Sequence, residues 1–302
     1  MTSLPSSAFC LSPAVVVTGA AGFIGRRVVA HLAGAGVDII ALDRVSDPGG
    51  WPAGVEYRKL DLDREMPGLK GNWMLVHLAW SLDRGDADSQ QESLRTFARL
   101  LGQEGLAGVV GLGSAEEYGE LEGRLSEDMA PGLKLSAYGK AKHEACQALE
   151  AWTRAGHRAV WLRPFLVYGP GQGGNMVIPY ALRCARERKP AEFSEGFQFR
   201  DFIHVDDVAE GIAQAALRLG KNGAFSVCNL GRGEPVRLRE VLERIAKKTG
   251  SQALFRFGAK PMRAGEPEEQ YADVSAAAAR LGWRARISWK KGIDALCREA
   301  VP

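Results

Sequence analysis

The chain has 302 residues, of which 46% are hydrophobic and 25% charged, and its formal net charge is +3. That length is enough for one large α/β domain or two smaller ones. The small net charge gives no reason to expect nucleic acid or a membrane surface as a partner, and no apolar run approaches the roughly 20 residues that span a bilayer.

Residues 1–13 have neither the basic start nor the long apolar segment of a secretory signal, and are interpreted as a short disordered tail. The histidines show no metal-ligand spacing, so no metal site is predicted. The cysteines are scattered, odd in number and without a C-x-x-C pair. They are expected to be reduced, mostly buried thiols of a cytoplasmic protein (Cys10, Cys146, Cys184, Cys228 and Cys297).

Apolar runs and helical patterns alternate through the first two-thirds of the chain. The patterns predict strands at 14–18, 37–43, 55–60, 73–79, 109–114 and 157–167, and helices at 23–32, 94–101 and 136–155. Such alternation predicts a parallel sheet with helices on both faces, and continuous apolar runs are typical of strands buried on both sides. The predicted fold class is α/β, with a Rossmann-type doubly wound sheet.

The pattern changes after Tyr168, where a glycine-rich loop at 169–174 precedes helices at 178–188 and after Asp206. A strand at 225–230 is expected to return to the main sheet, and short helices with an extended segment at 254–257 follow. We therefore predict a dinucleotide-binding domain of 14–168 plus 201–232. A smaller substrate lobe of 169–200 plus 233–302 would cover the carboxyl edge of the sheet, where ligands bind in open α/β folds.

Gly19, Gly22 and Gly25 lie between the first strand and the first helix. Glycine allows the tight turn and lets backbone N–H groups approach a phosphate. Asp43 ends the next strand, where an acidic residue typically binds the ribose hydroxyls of a dinucleotide. The glycines alone are also compatible with a purely structural turn.

Asp43 favours NAD, because a carboxylate repels the 2′-phosphate of NADP. Arg44 follows directly and can pair with that phosphate, so NADP stays an alternative. Asp61, after the third strand, is a candidate acceptor for the adenine amino group or, equally, a solvated carboxylate at a strand end.

Tyr138 and Lys142 are four residues apart and share one helix face. A neighbouring ammonium lowers the pKa of a phenol, as a general acid or base requires, although this spacing also arises by chance. Ser114, at the end of the fifth strand, can orient a substrate oxygen beside them; taken alone, a serine there is more often a helix cap or a turn residue. Together these residues predict a nicotinamide-dependent enzyme.

On these residues the chain resembles the extended short-chain dehydrogenases/reductases, in particular the NAD-dependent epimerase/dehydratase family that acts on nucleotide sugars. The resemblance extends from about Val15 to Trp283. Its matching strings are 19–25 (GAAGFIG), 61–63 (DLD), 77–79 (HLA), 114–119 (SAEEYG), 138–142 (YGKAK), 162–165 (LRPF), 167–171 (VYGPG), 200–207 (RDFIHVDD), 263–267 (RAGEP) and 272–275 (ADVS).

The resemblance implies a role for each matching residue. Ser114 and Tyr138 would bind the oxygen at the reacting sugar carbon, Tyr138 would shuttle the proton, and Lys142 would hold the nicotinamide ribose. The implied cofactor contacts are Gly19, Gly22, Phe23, Ile24, Gly25, Asp43, Arg44, Asp61, Leu62, Leu78, Ala79, Tyr138 and Lys142. The implied substrate contacts are Trp80, Ser114, Glu116, Asn175, Arg200 and Arg263, the two arginines meeting the nucleotide diphosphate.

Three positions depart from the family pattern: Trp80 where a small residue is usual, and Leu166 and Glu92 where Asn is frequent. The resemblance leaves the reaction open between C4 epimerisation and reduction of a 4-keto-6-deoxy sugar. A 4,6-dehydratase using Glu116 ranks third, because Ala115 replaces the usual partner acid. A non-catalytic dinucleotide-binding regulator is the alternative outside enzymes. The resemblance also implies a homodimer formed by the helices at 94–101 and 136–155.

Overall fold

A computed structural model describes residues 14–173, 176–219, 224–263 and 265–300. The predicted tail at 1–13 and Asn175 lie outside these ranges. The strands are β1 Ala14–Thr18, β2 Ile39–Asp43, β3 Val55–Lys59, β4 Trp73–His77, β5 Leu106–Leu112, β6 Gly123–Leu125, β7 Arg158–Pro164, β8 Leu166–Tyr168, β9 Ala191–Glu192, β10 Phe199–Arg200, β11 Phe202–His204, β12 Phe225–Leu230, β13 Val236–Arg237, β14 Phe255–Arg256 and β15 Glu269–Ala272.

Helices connect most of these strands. They are α1 Gly25–Gly34, α2 Ala87–Leu101, α3 Ala137–Thr153, α4 Val177–Arg186, α5 Val205–Arg218, α6 Leu238–Lys248 and α7 Trp289–Ala300, with short 3₁₀ turns at Ala115–Tyr118 and Gln252–Leu254 and a π turn at Ala277–Leu281. The α2 helix is longer than the predicted 94–101, because the Asp86 side chain accepts a hydrogen bond from Asp88 N and begins the helix there.

The main sheet has seven parallel strands in the order β12-β7-β5-β4-β1-β2-β3. The strand order reverses beside β1, so the carboxyl ends of β1 and β4 open the crevice in which doubly wound sheets bind ligands. The predicted Rossmann-type fold is therefore confirmed. The predicted return of 225–230 to this sheet is confirmed as well, since β12 pairs in parallel with β7.

Successive side chains of the central strands point to opposite faces, and each face carries a helical layer. On one face of the sheet, Val17 packs with Val28 of α1 and Ile212 of α5. On the other face, Val16 packs with Phe97 of α2 and Leu149 of α3. These residues are fully buried, which fixes the carboxyl edge of the sheet as a rigid platform.

The prediction of one strand over 157–167 is wrong. The β7 strand ends at Pro164, which has no N–H to continue a ladder, and Phe165 N then donates to Leu230 O. Leu166–Tyr168 forms a separate strand that pairs in parallel with β11. This change of partner carries the chain away from the main sheet.

A second hydrophobic core lies among the later elements. It includes Ile178 of α4, Phe202 of β11, Leu242 of α6 and Ile293 of α7, all nearly inaccessible to solvent. The small sheet β13-β10-β15-β6 adjoins it and carries Arg200. The domain boundaries given above stay predictions.

The four cysteines within the described ranges are free and buried, as expected (Cys146, Cys184, Cys228 and Cys297). Across the same residues no helix has both the length and the apolar character needed to cross a bilayer.

Candidate active site

The glycine turn lies between β1 and α1, at the carboxyl edge of the sheet. Gly19 has a φ of +66°, and a Cβ there would approach Ala79 N to 2.8 Å. A Cβ on Gly25 would overlap the Gly19 carbonyl oxygen. Gly22 is exposed, so the outer side of the turn presents backbone to solvent. The turn therefore has the close backbone approach that a pyrophosphate site needs.

Asp43, at the end of β2, lies against this turn. One carboxylate oxygen accepts from Ala21 N at 3.0 Å, and the side chain is only partly buried. Arg44 beside it is exposed. The carboxylate is thus fixed at the place where the ribose of a dinucleotide would extend from the turn.

The other predicted cofactor contacts surround the same crevice. Thr18 Oγ1 accepts from the backbone N–H groups of Leu78 and Ala79 at 3.2 and 3.3 Å. These bonds hold the start of the β4–α2 loop beside the glycine turn. Leu62 is buried, whereas Asp61 is partly exposed and pairs with Arg64 at 3.3 Å.

His77 ends β4 directly beneath this loop. Its Nδ1 lies 2.9 Å from Thr18 Oγ1 and its ring stacks on Phe97 at 5.0 Å between centroids. Burial, helped by the Lys142 charge, lowers the pKa of His77 to about 3. The imidazole is therefore neutral at physiological pH, and it is buried beneath the loop.

Ser114 follows β5 and begins the short 3₁₀ turn. Its hydroxyl accepts from Glu116 N at 3.1 Å, while Glu117 reaches back to accept from Ser114 N at 2.9 Å. This reciprocal arrangement is a capping box. Ser114 is accordingly both the cap that the sequence allows and a residue of the candidate site.

Glu117 is a fully buried carboxylate beneath Ser114. Besides Ser114 N it accepts from Trp161 Nε1 at 3.0 Å and from Arg163 Nε at 2.9 Å. Both members of the Glu117–Arg163 pair are nearly inaccessible to solvent. A buried charge pair with further hydrogen bonds is rigid, because every alternative leaves an unpaired charge in the core.

Tyr138 lies at the start of α3, on the same edge as Ser114. The guanidinium of Arg84 covers its ring, 4.7 Å from the centroid. Burial raises the pKa of Tyr138 to about 12, while the positive charge of Arg84 and the nearby Ser114 hydroxyl oppose that rise.

Lys142 lies one turn further along α3 and is buried. Its ammonium donates to Leu112 O at 2.6 Å and sits 3.7 Å from the centroid of the Trp80 indole, but 5.8 Å from that of the Tyr138 ring. The sequence predicts that Lys142 lowers the pKa of Tyr138. That expectation is wrong in this structure, because the ammonium is directed to Leu112 and Trp80 and burial dominates at Tyr138.

A buried glutamine on α2 organises the β4–α2 loop. Gln90 accepts from Trp80 Nε1 at 2.7 Å and donates to Asp83 O at 2.7 Å. It thereby fixes both the indole that meets Lys142 and the segment that leads to Arg84.

Glu116 lies beside Tyr138 at the edge of the site. It forms an ion pair with Arg84 and accepts from Ser136 Oγ at 2.9 Å. Ser136 in turn caps α3 by accepting from Gly139 N. The predicted substrate contact at Glu116 is therefore linked to the loop on one side and to the helix on the other.

The two predicted diphosphate arginines lie away from this cluster. Arg200 is mostly buried and pairs with Glu266 at 2.8 Å, and burial lowers its pKa. Arg263 is exposed, and its carbonyl accepts from Glu266 N. The Arg200 side chain thus contacts the segment that begins with Arg263.

Four further residues belong to the site although no sequence pattern assigned them to it: Arg84, Gln90, Glu117 and Arg163. Glu117 has a local signal, because the S-x-x-E spacing from Ser114 is that of a capping box. Arg163 is in one of the family strings, but without an assigned role. Arg84 and Gln90 carry no motif, and only their contacts in the folded chain reveal them.

Comparisons with known proteins show the family to which the chain is similar. The sequence model of the NAD dependent epimerase/dehydratase family matches residues 15–231. A UDP-glucose 4-epimerase of Azospirillum brasilense is 27% identical over 94% of this chain and 93% of its own length. The CDP-abequose synthase of Salmonella muenchen is 25% identical over 92% and 95%.

A solved structure of MoeE5 in complex with UDP-glucose and NAD is 32% identical, covers 94% of this chain and 97% of its own, and has a TM-score of 0.82. A second structure of the same protein holds UDP-glucuronic acid and NAD, with 31% identity and the same TM-score of 0.82.

Proposed function

This chain belongs to the NAD-dependent epimerase/dehydratase family of nucleotide-sugar enzymes, and on that premise we propose that it is an NAD-dependent 4-epimerase of a UDP-linked hexose or hexuronic acid. The observation that carries the proposal is the placement of Ser114 and Tyr138 at the carboxyl edge of the sheet, across from the glycine turn. The nearby Ser114 hydroxyl opposes the rise of the Tyr138 pKa.

The chemistry assigned to these side chains is proton transfer at the C4 oxygen. Tyr138, in its phenolate form, takes the proton of the C4 hydroxyl and later returns it. Ser114 donates a hydrogen bond to the same oxygen as it becomes a carbonyl. Lys142 would bind the nicotinamide ribose through its ammonium, as the resemblance implies. NAD, held by the glycine turn, Asp43 and Lys142, would supply reversible hydride transfer at C4.

The residues present fit NAD. The close approach of Gly19 to Ala79 leaves room only for glycine at the turn, and the exposed backbone at Gly22 is available to a pyrophosphate. The Asp43 carboxylate is held at the turn by Ala21 N. A fixed carboxylate there accepts hydrogen bonds from the ribose hydroxyls and repels a 2′-phosphate, which favours NAD over NADP.

Epimerisation is favoured over dehydration on a specific observation. A dehydratase needs an acid and a base beside the site, and Ala115 supplies neither. Glu116, the remaining carboxylate, is engaged by Arg84 and Ser136. The full-length similarity to a UDP-glucose 4-epimerase supports the same choice.

Reduction of a 4-keto sugar is the second candidate, supported by the full-length similarity to a CDP-abequose synthase. The two reactions differ in their redox balance. An epimerase regenerates its NAD in each turnover, whereas a reductase consumes one reduced nicotinamide per product.

The decisive experiment incubates the purified protein with UDP-glucose and, separately, UDP-glucuronic acid, with and without added NAD. Formation of the C4 epimer, identified by proton NMR, without net change in nicotinamide absorbance supports epimerisation. A parallel incubation contains NADH and a CDP-linked 4-keto sugar. Stoichiometric oxidation of NADH in that incubation supports the reductase. Binding of NAD with no turnover of any of these sugars supports a non-catalytic regulator.

Two further assignments complete the proposal. Arg200, Arg263 and Asn175 are proposed to contact the nucleotide diphosphate; Arg200 would then exchange Glu266 for phosphate oxygens. A homodimer built on α2 and α3 is proposed from the resemblance. Light scattering on the native protein tests it, since a mass near the 32.6 kDa of a single chain would contradict it.

A further inference from the structure

The β4–α2 loop brings a second cation to the reaction centre. Arg84 lies over the Tyr138 ring at 4.7 Å, well within the range of a cation–π interaction. Lys142, the cation that the sequence assigns to this tyrosine, is 5.8 Å from the ring and is held by other groups.

The position of Arg84 is fixed from two directions. Its guanidinium pairs with Glu116, which also accepts from Ser136 at the start of α3. The loop itself is tied to α2 by Gln90, which donates to Asp83 O, one residue before Arg84. The first attachment involves the turn that begins at Ser114 and the start of α3, which carries Tyr138.

We propose that Arg84 is a positioning residue of this site, which supplies the cation beside the Tyr138 phenol, and that Glu116 sets how strongly this cation acts. The inference rests on the proposed function for its catalytic meaning. Its physical content is independent of turnover, because it concerns the ionisation of Tyr138 in the protein alone.

The charges that face Tyr138 come from three elements. Arg84 approaches from the β4–α2 loop, Glu116 and Glu117 from the 3₁₀ turn, and Lys142 from the same helix. The positive charge of Arg84 favours the phenolate, whereas both carboxylates oppose it. Removing Arg84 and removing the charge of Glu116 should therefore shift the ionisation of Tyr138 in opposite directions.

The variants for the test are Arg84→Met, Arg84→Lys and Glu116→Gln. Glutamine keeps an oxygen that can accept from Ser136. The matched control is Arg286→Met, which removes an exposed arginine that pairs with Glu210 on α5. Each protein is prepared with fluorinated tyrosine, whose lower intrinsic pKa brings ionisation into an accessible range. Fluorine NMR follows the titration, and Tyr138→Phe identifies the resonance.

Arg84→Met is expected to move the ionisation of Tyr138 upward by about one pH unit, and Glu116→Gln to move it downward. Arg84→Lys should restore most of the native value, and Arg286→Met should change nothing. The pH profile of kcat should shift in parallel, so that Arg84→Met loses roughly tenfold in rate below the apparent pKa.

The inference is overturned if the Tyr138 resonance titrates alike in the native protein, Arg84→Met and Glu116→Gln, or if both variants shift it in the same direction. Opposite shifts without any turnover of a UDP-sugar would leave this inference standing and reject the proposed function instead. Should Arg84→Met fail to fold, Arg84→Gln, which also removes the positive charge, takes its place, and an unshifted Tyr138 titration in that variant overturns the inference.

Discussion

The Lys142 ammonium lies over the face of the Trp80 indole, 3.7 Å from the ring centroid. A desolvated cation–π contact contributes up to about 2 kcal/mol, and Gln90 fixes the indole by accepting from its Nε1. Family members usually have a small residue where this chain has Trp80. The large side chain thus serves as a support for the lysine and as one wall of the site.

Tyr138→Phe is expected to abolish most turnover of the UDP-sugar, by roughly a hundredfold to ten-thousandfold. The phenol is the proposed proton carrier, and phenylalanine keeps the ring under Arg84 while removing the hydroxyl. NAD should still bind, because the glycine turn is unchanged. Initial rates by coupled assay and NAD titration by calorimetry measure both effects.

The control for that variant is Tyr180→Phe. Tyr180 packs against Phe193 in the second hydrophobic core, and its hydroxyl accepts from Glu192 N. The turnover of the Tyr180→Phe variant should match that of the native protein. Full turnover in Tyr138→Phe would remove the proton-transfer assignment.

Asp43→Asn should weaken NAD binding by roughly tenfold to a hundredfold, because a charged hydrogen-bond acceptor is lost. NADP should bind better than before, since the repulsion of its 2′-phosphate disappears while Arg44 remains. Calorimetry with both dinucleotides measures the change in preference. Asp38→Asn, an exposed residue just before the opposite end of β2, is the matched control. Equal losses for NAD and NADP in Asp43→Asn would contradict the assignment.

Glu117→Ala is expected to lower the free energy of unfolding by about 3–5 kcal/mol, the usual cost of leaving a buried charge without its partner. Arg163 would lose its carboxylate, and Trp161 Nε1 and Ser114 N would lose their acceptor. Urea denaturation followed by circular dichroism measures the loss. Glu56→Gln, which removes an exposed pair with Arg58, should change stability little. Similar effects of the two variants would show that the buried network contributes no more than a surface ion pair.

Local patterns predict the parts of this site that are close in sequence. The glycine spacing after β1, the capping-box spacing of Ser114 and Glu117, and the helical spacing of Tyr138 and Lys142 are all readable within a few residues. Arg84 and Glu116 are 32 residues apart and Glu117 and Arg163 are 46 apart. No periodicity links such pairs, because the sheet order alone brings them together.

The fold also has parts that local sequence patterns predict and parts that depend on distant residues. Apolar runs predicted the strands of the main sheet, since burial on both faces leaves a strong signal in each run. The end of β7 was mispredicted, because Leu166–Tyr168 is equally apolar and differs only in its partner, β11. The strand with which a given strand pairs depends on the topology of the whole sheet, and the residues of the strand alone do not determine it.

The buried Lys142 predicts a specific pH dependence of stability. Burial lowers its pKa from 10.5 to about 7. Between those values the unfolded chain carries a proton at this position that the folded chain lacks. The free energy of unfolding contributed by this residue should therefore rise from about pH 7 to about pH 10.5, by at most about 1.4 kcal/mol per pH unit. Below pH 7 both states are protonated and the contribution is constant.

Lys142→Met should remove that slope. Urea denaturation of the native protein and of this variant at several pH values from 6 to 10 gives the difference in unfolding free energy directly. The variant should be more stable at pH 6, where the native protein buries a charge, and its advantage should shrink as the pH rises. Lys140→Met, which removes an exposed lysine of the same helix, supplies the control and should run parallel to the native protein. A constant difference between Lys142→Met and the native protein across this range would mean that Lys142 stays charged when buried, with Trp80 and Leu112 O compensating for its lost hydration.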